Sequence, residues 1–244
     1  MNLIVDIGNS RAKLAIIDGK DTVYQHVFED ITADVVMDIV GRYPAIDKAI
    51  VASTRANAEA VAKILKESIG NTLVFDPATT PIPLGNSYHT PHTLGADRLA
   101  AAVGVATLYP NRDAMIVDFG TAITIDYVIG ATFCGGNISP GVTTRFRALA
   151  DYTASLPLCS PTEEVLEYGR TTHEAIEQGV MRGVEQEISG YAERFFIKNE
   201  RNCIIFTGGD AKYFVKRIKN AIFADCEPVI FGLNRILEYN AEEL

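Results

Sequence analysis

Apolar residues early in the chain fall into short runs broken by turn residues. The run Ile4-Val5 leads into Asp6-Ile7-Gly8, a second run follows over Ala12–Ile17, and Asp18-Gly19 turns the chain into a third stretch, Thr22–Phe28. Runs of this length bounded by glycine and small polar residues predict three strands joined by hairpins. A helical period then appears near Thr32–Tyr43 and Asn57–Ser68, on either side of a continuously apolar strand, Lys48–Ala52. The stretch Asp76–Thr93 carries Pro77, Pro81, Pro83, Pro91 and Gly85, so it is neither a regular helix nor a central strand. An alanine-rich core helix is predicted from Leu99 to Tyr109. Later helical patterns lie near Thr143–Ser155, Thr172–Lys198 and Val229–Tyr239, and a short strand, Cys203–Phe206, precedes Thr207-Gly208-Gly209-Asp210.

The chain repeats itself. Ile4-Val5-Asp6-Ile7-Gly8 returns as Ile116-Val117-Asp118-Phe119-Gly120, and each copy is followed by small polar residues and another β-rich run. Five matching positions carry little weight alone, but the shared strand–turn–strand setting points to a duplicated domain. Gly130 and the pair Gly135-Gly136 are expected to bracket the third strand of the second copy. The division implied is a half over 1–112 and a half over 113–244, each a mixed α/β layer.

Charge and composition remove several classes of function. With 22 basic against 31 acidic residues the formal charge is −9, which argues against nucleic acid or an acidic membrane as main partner. The start, Met1 to Asp6, lacks the basic region of a signal peptide, and Leu99–Tyr109 is too short to span a bilayer, so a cytoplasmic location is expected. Cys134, Cys159, Cys203 and Cys226 form no Cys-x-x-Cys pair and are expected to be free thiols. His89-x-x-His92 lacks a carboxylate or cysteine partner for a metal, His173 is expected to be an exposed residue at a helix start, and Asp126 is a candidate support for the second hairpin.

Three segments carry chemistry. In Asp6-x-Gly8-Asn9-Ser10 the small residues would let backbone amides approach phosphate oxygens, the Asp6 carboxylate could hold a Mg²⁺-bound water, and Lys13 could reach a terminal phosphate. One such hairpin alone reads rather as an ordinary Asp-Gly turn with a surface lysine; the second copy, at Asp118, shifts the reading towards a ligand. Thr207-Gly208-Gly209-Asp210 fits an adenosine-binding loop, or else a strand-to-helix turn capped by Asp210. Neither a Walker A loop nor a dinucleotide-binding Gly-x-Gly-x-x-Gly is present. In Leu94-Gly95-Ala96-Asp97-Arg98 a base and an anion clamp share one helical turn: Asp97 could take a hydroxyl proton and Arg98 could pair with a carboxylate. The plainer alternative makes Asp97 a helix cap and Arg98 a solvated charge.

Taken in order, Asp6-Ile7-Gly8-Asn9-Ser10, Gly95-Ala96-Asp97-Arg98, Asp118-Phe119-Gly120-Thr121-Ala122-x-Thr124 and Gly136-Asn137-Ile138-x-Pro140-Gly141 resemble the type III pantothenate kinases over essentially the whole chain. The resemblance implies duplicated actin-like ATPase (ribonuclease H-like) domains, mixed sheets flanked by helices, with the two hairpins expected to converge on the ATP phosphates. It implies a homodimer that phosphorylates pantothenate with Mg²⁺-ATP and is activated by a monovalent cation, K⁺ or NH₄⁺. Residue by residue it implies Asp97 as general base and Tyr88, Gly95, Ala96, Arg98 and Thr172 as pantothenate contacts. Asp6, Ile7, Gly8, Asn9, Ser10, Arg11, Ala12, Lys13 and Thr121 would contact ATP, and Asp118 would bind the monovalent cation. Ser10 stands where many relatives have threonine and keeps the hydroxyl; Ala15 stands where many have glycine. The rival readings are a kinase of the same class for another hydroxy acid or a sugar, and an ATP-binding accessory or regulatory protein without turnover.

Overall fold

The computed structural model describes residues 1–54, 58–196, 202–218, 221–224 and 227–241. In chain order the first elements are β1 (Asn2–Ile7), β2 (Ala12–Asp18), β3 (Asp21–Phe28), α1 (Ala33–Arg42), β4 (Lys48–Ser53), α2 (Ala58–Ser68), β5 (Thr72–Val74), β6 (Gly85–Asn86) and α3 (Ala96–Leu108). They are followed by β7 (Ala114–Phe119), β8 (Ala122–Ile129), β9 (Thr132–Pro140), α4 (Val142–Tyr152), α5 (Thr172–Phe196), β10 (Cys203–Thr207), β11 (Ala221–Phe223) and α6 (Pro228–Tyr239). The expected helices and strands are present within a few residues. Asn57, the last two residues expected in the long helix, and Cys226 lie outside the described residues.

The chain forms two compact units. The first takes Met1–Pro110, Ala131–Phe133 and the C-terminal helix α6; the second takes Asn111–Gly130 and the stretch from Cys134 up to that helix. In the first unit the sheet runs β3-β2-β1-β4-β5. Strand β1 is antiparallel to β2 and parallel to β4. Alternate residues Leu3, Val5 and Ile7 of β1 join Leu14, Ile16 and Val51 in a core with Val36 and Ile39 of α1 and Val61 and Leu65 of α2. The opposite face is covered as well, since α6 packs on β1 and β4. Coverage on both faces explains why β1 and β4 read as unbroken apolar runs rather than as alternating ones.

Helices α3 and α6 pack more extensively than any other pair of elements. Small residues permit it: a Cβ on Gly232 would overlap the Ala100 carbonyl oxygen, and one on Gly104 would overlap that of Pro228. A glycine inside a helix ordinarily costs about 1 kcal/mol against alanine, and here both glycines sit where only a bare backbone fits.

The second unit repeats the topology, its strands running β11-β10-β7-β8-β9. Strand β7 is antiparallel to β8 and parallel to β10, as β1 is to β2 and β4. Asp6 faces Lys13 across one hairpin and Ala52 on the parallel side. Asp118 faces Thr124 and Thr207 in the same way. The duplicated mixed α/β architecture expected from the five-residue repeat is therefore present at the level of strand order and register. Met115, Val117 and Phe119 pack with Phe146 of α4 and Ile176, Val180, Val184 and Ile188 of α5. Phe119 stacks on Phe214 at 5.0 Å and meets Phe206 edge-on at 4.9 Å.

One local expectation is corrected. Gly135 and Gly136 do not bracket the third strand of the second copy; they lie inside β9. A Cβ on Gly136 would overlap the Ile125 carbonyl oxygen and come within 2.6 Å of the Asp126 carboxylate, so the glycine marks a close approach of backbones. The turn itself is Gly130-Ala131, both with positive φ (56° and 55°), the geometry of a two-residue hairpin loop. Among the described residues, no helix is long and apolar enough to cross a membrane.

Candidate active site

In the first unit Asp6, the penultimate residue of β1, is almost fully buried, while Asn9, Ser10 and Arg11 are exposed in the turn. Ile7 and Ala12, both expected to contact ATP, are fully buried in this structure. Gly8 is tight: a Cβ there would stand 3.1 Å from the Arg11 carbonyl oxygen. Lys13 points into a part-buried ion pair, its Nζ 2.6 Å from Oε2 of Glu227, which immediately precedes α6. The first hairpin thus presents a lysine already held in place by an acid far away in sequence.

The Gly95-Ala96-Asp97-Arg98 segment is the start of α3. Gly95 occupies the N-cap position with extended backbone, and Ala96 is buried as the first helical residue. Asp97 is therefore one residue inside the helix rather than its cap. Its Oδ1 accepts the Arg98 backbone N–H at 2.8 Å, and no hydrogen bond to its other oxygen is found among the described residues. The side chain is half-buried, and Gly95 makes room for it, since a Cβ on Gly95 would stand 2.5 Å from that Oδ1. A carboxylate near the helix N-terminus is favoured by the exposed amides there.

Arg98 is not a solvated charge, with only 7% of its surface exposed. Its guanidinium carbon lies 5.7 Å from the Tyr88 ring centroid and 6.0 Å from that of Phe133. The proline-rich loop brings Tyr88 there through two tethers. Gly85 and Asn86 form β6, pairing in parallel with Thr132 and Phe133, and Ser87 donates both its N–H and its hydroxyl to the Phe133 carbonyl at 3.0 Å.

In the second unit the expected motifs meet around the Asp118 hairpin. Gly208, at φ 91°, lies against it so closely that a Cβ would stand 2.6 Å from the Phe119 nitrogen and overlap the Asp118 carboxylate. The Asp210 N–H donates to the Phe119 carbonyl at 3.2 Å. Gly141 closes the other side: its N–H donates to the Thr121 carbonyl at 3.0 Å, and the Thr144 hydroxyl donates to the same oxygen at 2.7 Å. Gly120-Thr121, Gly141 and Gly208 so bring three bare backbone segments together. Burial raises the Asp210 carboxyl above the usual range, partly offset by Lys212.

Thr172 is exposed as the first residue of α5. The helix begins there because Thr171 and Glu174 cap one another: the Thr171 hydroxyl accepts the Glu174 N–H, and the Glu174 carboxylate accepts the N–H groups of Thr171 and Arg170. His173 is exposed and within 3.4 Å of the Cys159 sulfur. Cys134, Cys159 and Cys203 take part in no disulfide. No cluster of three or more His, Cys, Asp or Glu residues suited to a metal occurs among the described residues.

Sequence reasoning missed two residues that the structure brings to these segments. Phe133 is an apolar residue in a strand with no chemical signature, and only the β6–β9 pairing sets it beside Arg98. Glu227 carries a weak signal, an acid just before a helix that starts with proline, but its partner is far away in the chain.

Two sheets of one strand order, each with an aspartate one residue before the end of its first strand, form the duplicated actin-like fold. In fold the chain is similar to the activator of the 2-hydroxyisocaproyl-CoA dehydratase from Clostridium difficile, solved with bound ADPNP (TM-score 0.57, 16% identity, covering 100% of this chain and 97% of that one). It is likewise similar to the inorganic polyphosphate/ATP-glucomannokinase of Arthrobacter sp. strain KM (TM-score 0.51, 14% identity, 98% and 100% covered). The family model for type III pantothenate kinase matches residues 2–194. A type III pantothenate kinase of Phocaeicola vulgatus is 42% identical over 242 residues, 98% of this chain and 99% of its own. The chain belongs to the type III pantothenate kinase family.

Proposed function

We infer that this protein transfers the terminal phosphoryl group of ATP to the primary hydroxyl of pantothenate, giving ADP and 4′-phosphopantothenate, the first step towards coenzyme A. The observation that carries the reading is the start of α3, where a half-buried carboxylate, Asp97, adjoins a buried guanidinium, Arg98. Asp97 takes the hydroxyl proton as the oxygen attacks the γ-phosphorus and the bond to ADP breaks. Arg98 binds the pantothenate carboxylate at the far end, with Tyr88, Gly95, Ala96 and Thr172 completing the substrate contacts. A neutral sugar has no use for such a clamp. Positioning and charge neutralisation supply most of the acceleration in phosphoryl transfer.

The first hairpin, from Asp6 to Lys13, together with Thr121, is assigned to ATP. Asp6 would hold Mg²⁺ through a water, and the ion would supply neutralisation of the phosphate charge. Such a role fits the general habit of Mg²⁺, which commonly binds one or two carboxylates plus substrate phosphates. Asp118, among the bare backbone of Gly120, Gly141 and Gly208, is assigned to the monovalent cation, K⁺ or NH₄⁺. A homodimer and a cytoplasmic location, where ATP is supplied, complete the reading.

Purified protein with Mg-ATP and K⁺ is expected to release ADP with pantothenate and not with glucose, glycerol or acetate; equal turnover of a neutral sugar, or none with any acceptor, overturns the assignment. Exchanging K⁺ for Na⁺ or Tris is expected to lower the rate strongly, and Asp118→Asn to flatten that dependence. A wild-type rate indifferent to K⁺ and NH₄⁺ removes the role given to Asp118.

A further inference from the structure

We propose that Phe133 is a positioning residue for substrate recognition: its ring, with that of Tyr88, fixes the Arg98 guanidinium in the orientation that reads a carboxylate. The proposal rests on the assignment of Arg98 to the pantothenate carboxylate. Phe133 itself is fully buried and so cannot be expected to touch substrate. Its ring centroid is 6.0 Å from that of Tyr88, with the planes at 45°, and the Arg98 guanidinium carbon lies within 6.0 Å of both. Two π faces attract the cation and limit the rotation of a side chain that otherwise has many rotamers. A guanidinium offers its paired N–H groups to a carboxylate only in its own plane, so a fixed plane converts charge attraction into a bidentate contact.

The backbone adds a second reason for this placement. Phe133 supplies the carbonyl that holds Ser87, the residue before Tyr88, at 3.0 Å by two hydrogen bonds. The Asn86 side chain accepts the Tyr88 N–H at 3.0 Å. One residue of β9 therefore sets both the ring against Arg98 and the loop that carries the other ring.

The test is a double-mutant cycle between Phe133→Leu and Arg98→Ala, read as KM for pantothenate, KM for ATP and kcat, with thermal unfolding checked on each variant. Loss of one cation–π face is expected to raise the pantothenate KM by about 3- to 30-fold with the ATP KM unchanged. In the Arg98→Ala background the same substitution is expected to add nothing, because no guanidinium remains to be held. A loss of folded fraction would lower kcat alone, so a purely structural role is distinguishable. Phe133→Met, which fills the space with a flexible apolar chain, serves where the leucine variant does not fold. If Arg98→Ala leaves the pantothenate KM unchanged, the assignment of Arg98 fails. If Arg98→Ala raises it while both Phe133 variants do not, or if the two effects are simply additive, the Phe133 proposal alone is overturned.

Discussion

Asp97→Asn is expected to lower kcat by about 10²–10⁴-fold, the usual cost of losing a general base, while ATP binding and the unfolding temperature stay near their wild-type values. The asparagine keeps a carbonyl oxygen able to accept the Arg98 N–H as Asp97 Oδ1 now does at 2.8 Å. Only the capacity to take a proton is lost. The defect therefore belongs in kcat and equally in kcat/KM for pantothenate, which is the pattern of an interaction made in the transition state. Steady-state kinetics with ADP release, alongside titration of a non-hydrolysable ATP analogue, separates the two. An asparagine variant turning over at near wild-type kcat would show that Asp97 serves the helix and that the base lies elsewhere.

How much of this was legible in the sequence depended on the range of the interactions. The hairpins were legible because each is local: an apolar run, Asp-x-Gly and a second run fold on themselves, and the repeat at Asp118 disclosed the duplicated topology. The Asp97-Arg98 pair was legible as chemistry, but its setting was not. That Asp97 sits inside the helix and Arg98 lies under two rings depends on Gly95 and on the β6–β9 pairing. Gly135-Gly136 was misread because a glycine pair signals a turn just as it signals close backbone approach, and only the position of β8 decides between them. Glu227 and Phe133 were missed since their partners, Lys13 and Arg98, are distant in the chain and neither residue type announces a contact.

Gly232→Ala is expected to destabilise the protein by about 2 kcal/mol or more, within or above the usual range for an overpacked core. Helix propensity alone would favour the alanine by roughly 1 kcal/mol. The steric term is larger and of opposite sign, because the new methyl would overlap the Ala100 carbonyl oxygen and stand 2.9 Å from the Gly104 nitrogen. Backbone of a packed helix cannot yield as a side-chain tip can. For a chain of this size such a loss corresponds to a fall of about 4–8 °C in Tm, measurable by calorimetry or circular dichroism. The same substitution at Gly209, where a Cβ would meet nothing within 4 Å, is the control and should leave Tm almost unchanged. A Gly232→Ala protein with wild-type Tm would mean that α3 and α6 have room to separate.

The place of α6 in the first unit also sets the order in which a nascent chain can be completed. Strands β1 and β4 leave the ribosome early with one face uncovered, and the helix that covers it is made only after the whole second unit. At about 5–20 residues per second that interval is on the order of ten seconds. The second unit, drawn from one nearly continuous stretch, can close during synthesis. The half that carries Asp6 and Asp97 must instead wait for α6 to cover Ile4, Ile50 and Gly104 of α3, so a chain truncated before α6 is expected to leave the Asp97 half unfinished and open to proteases.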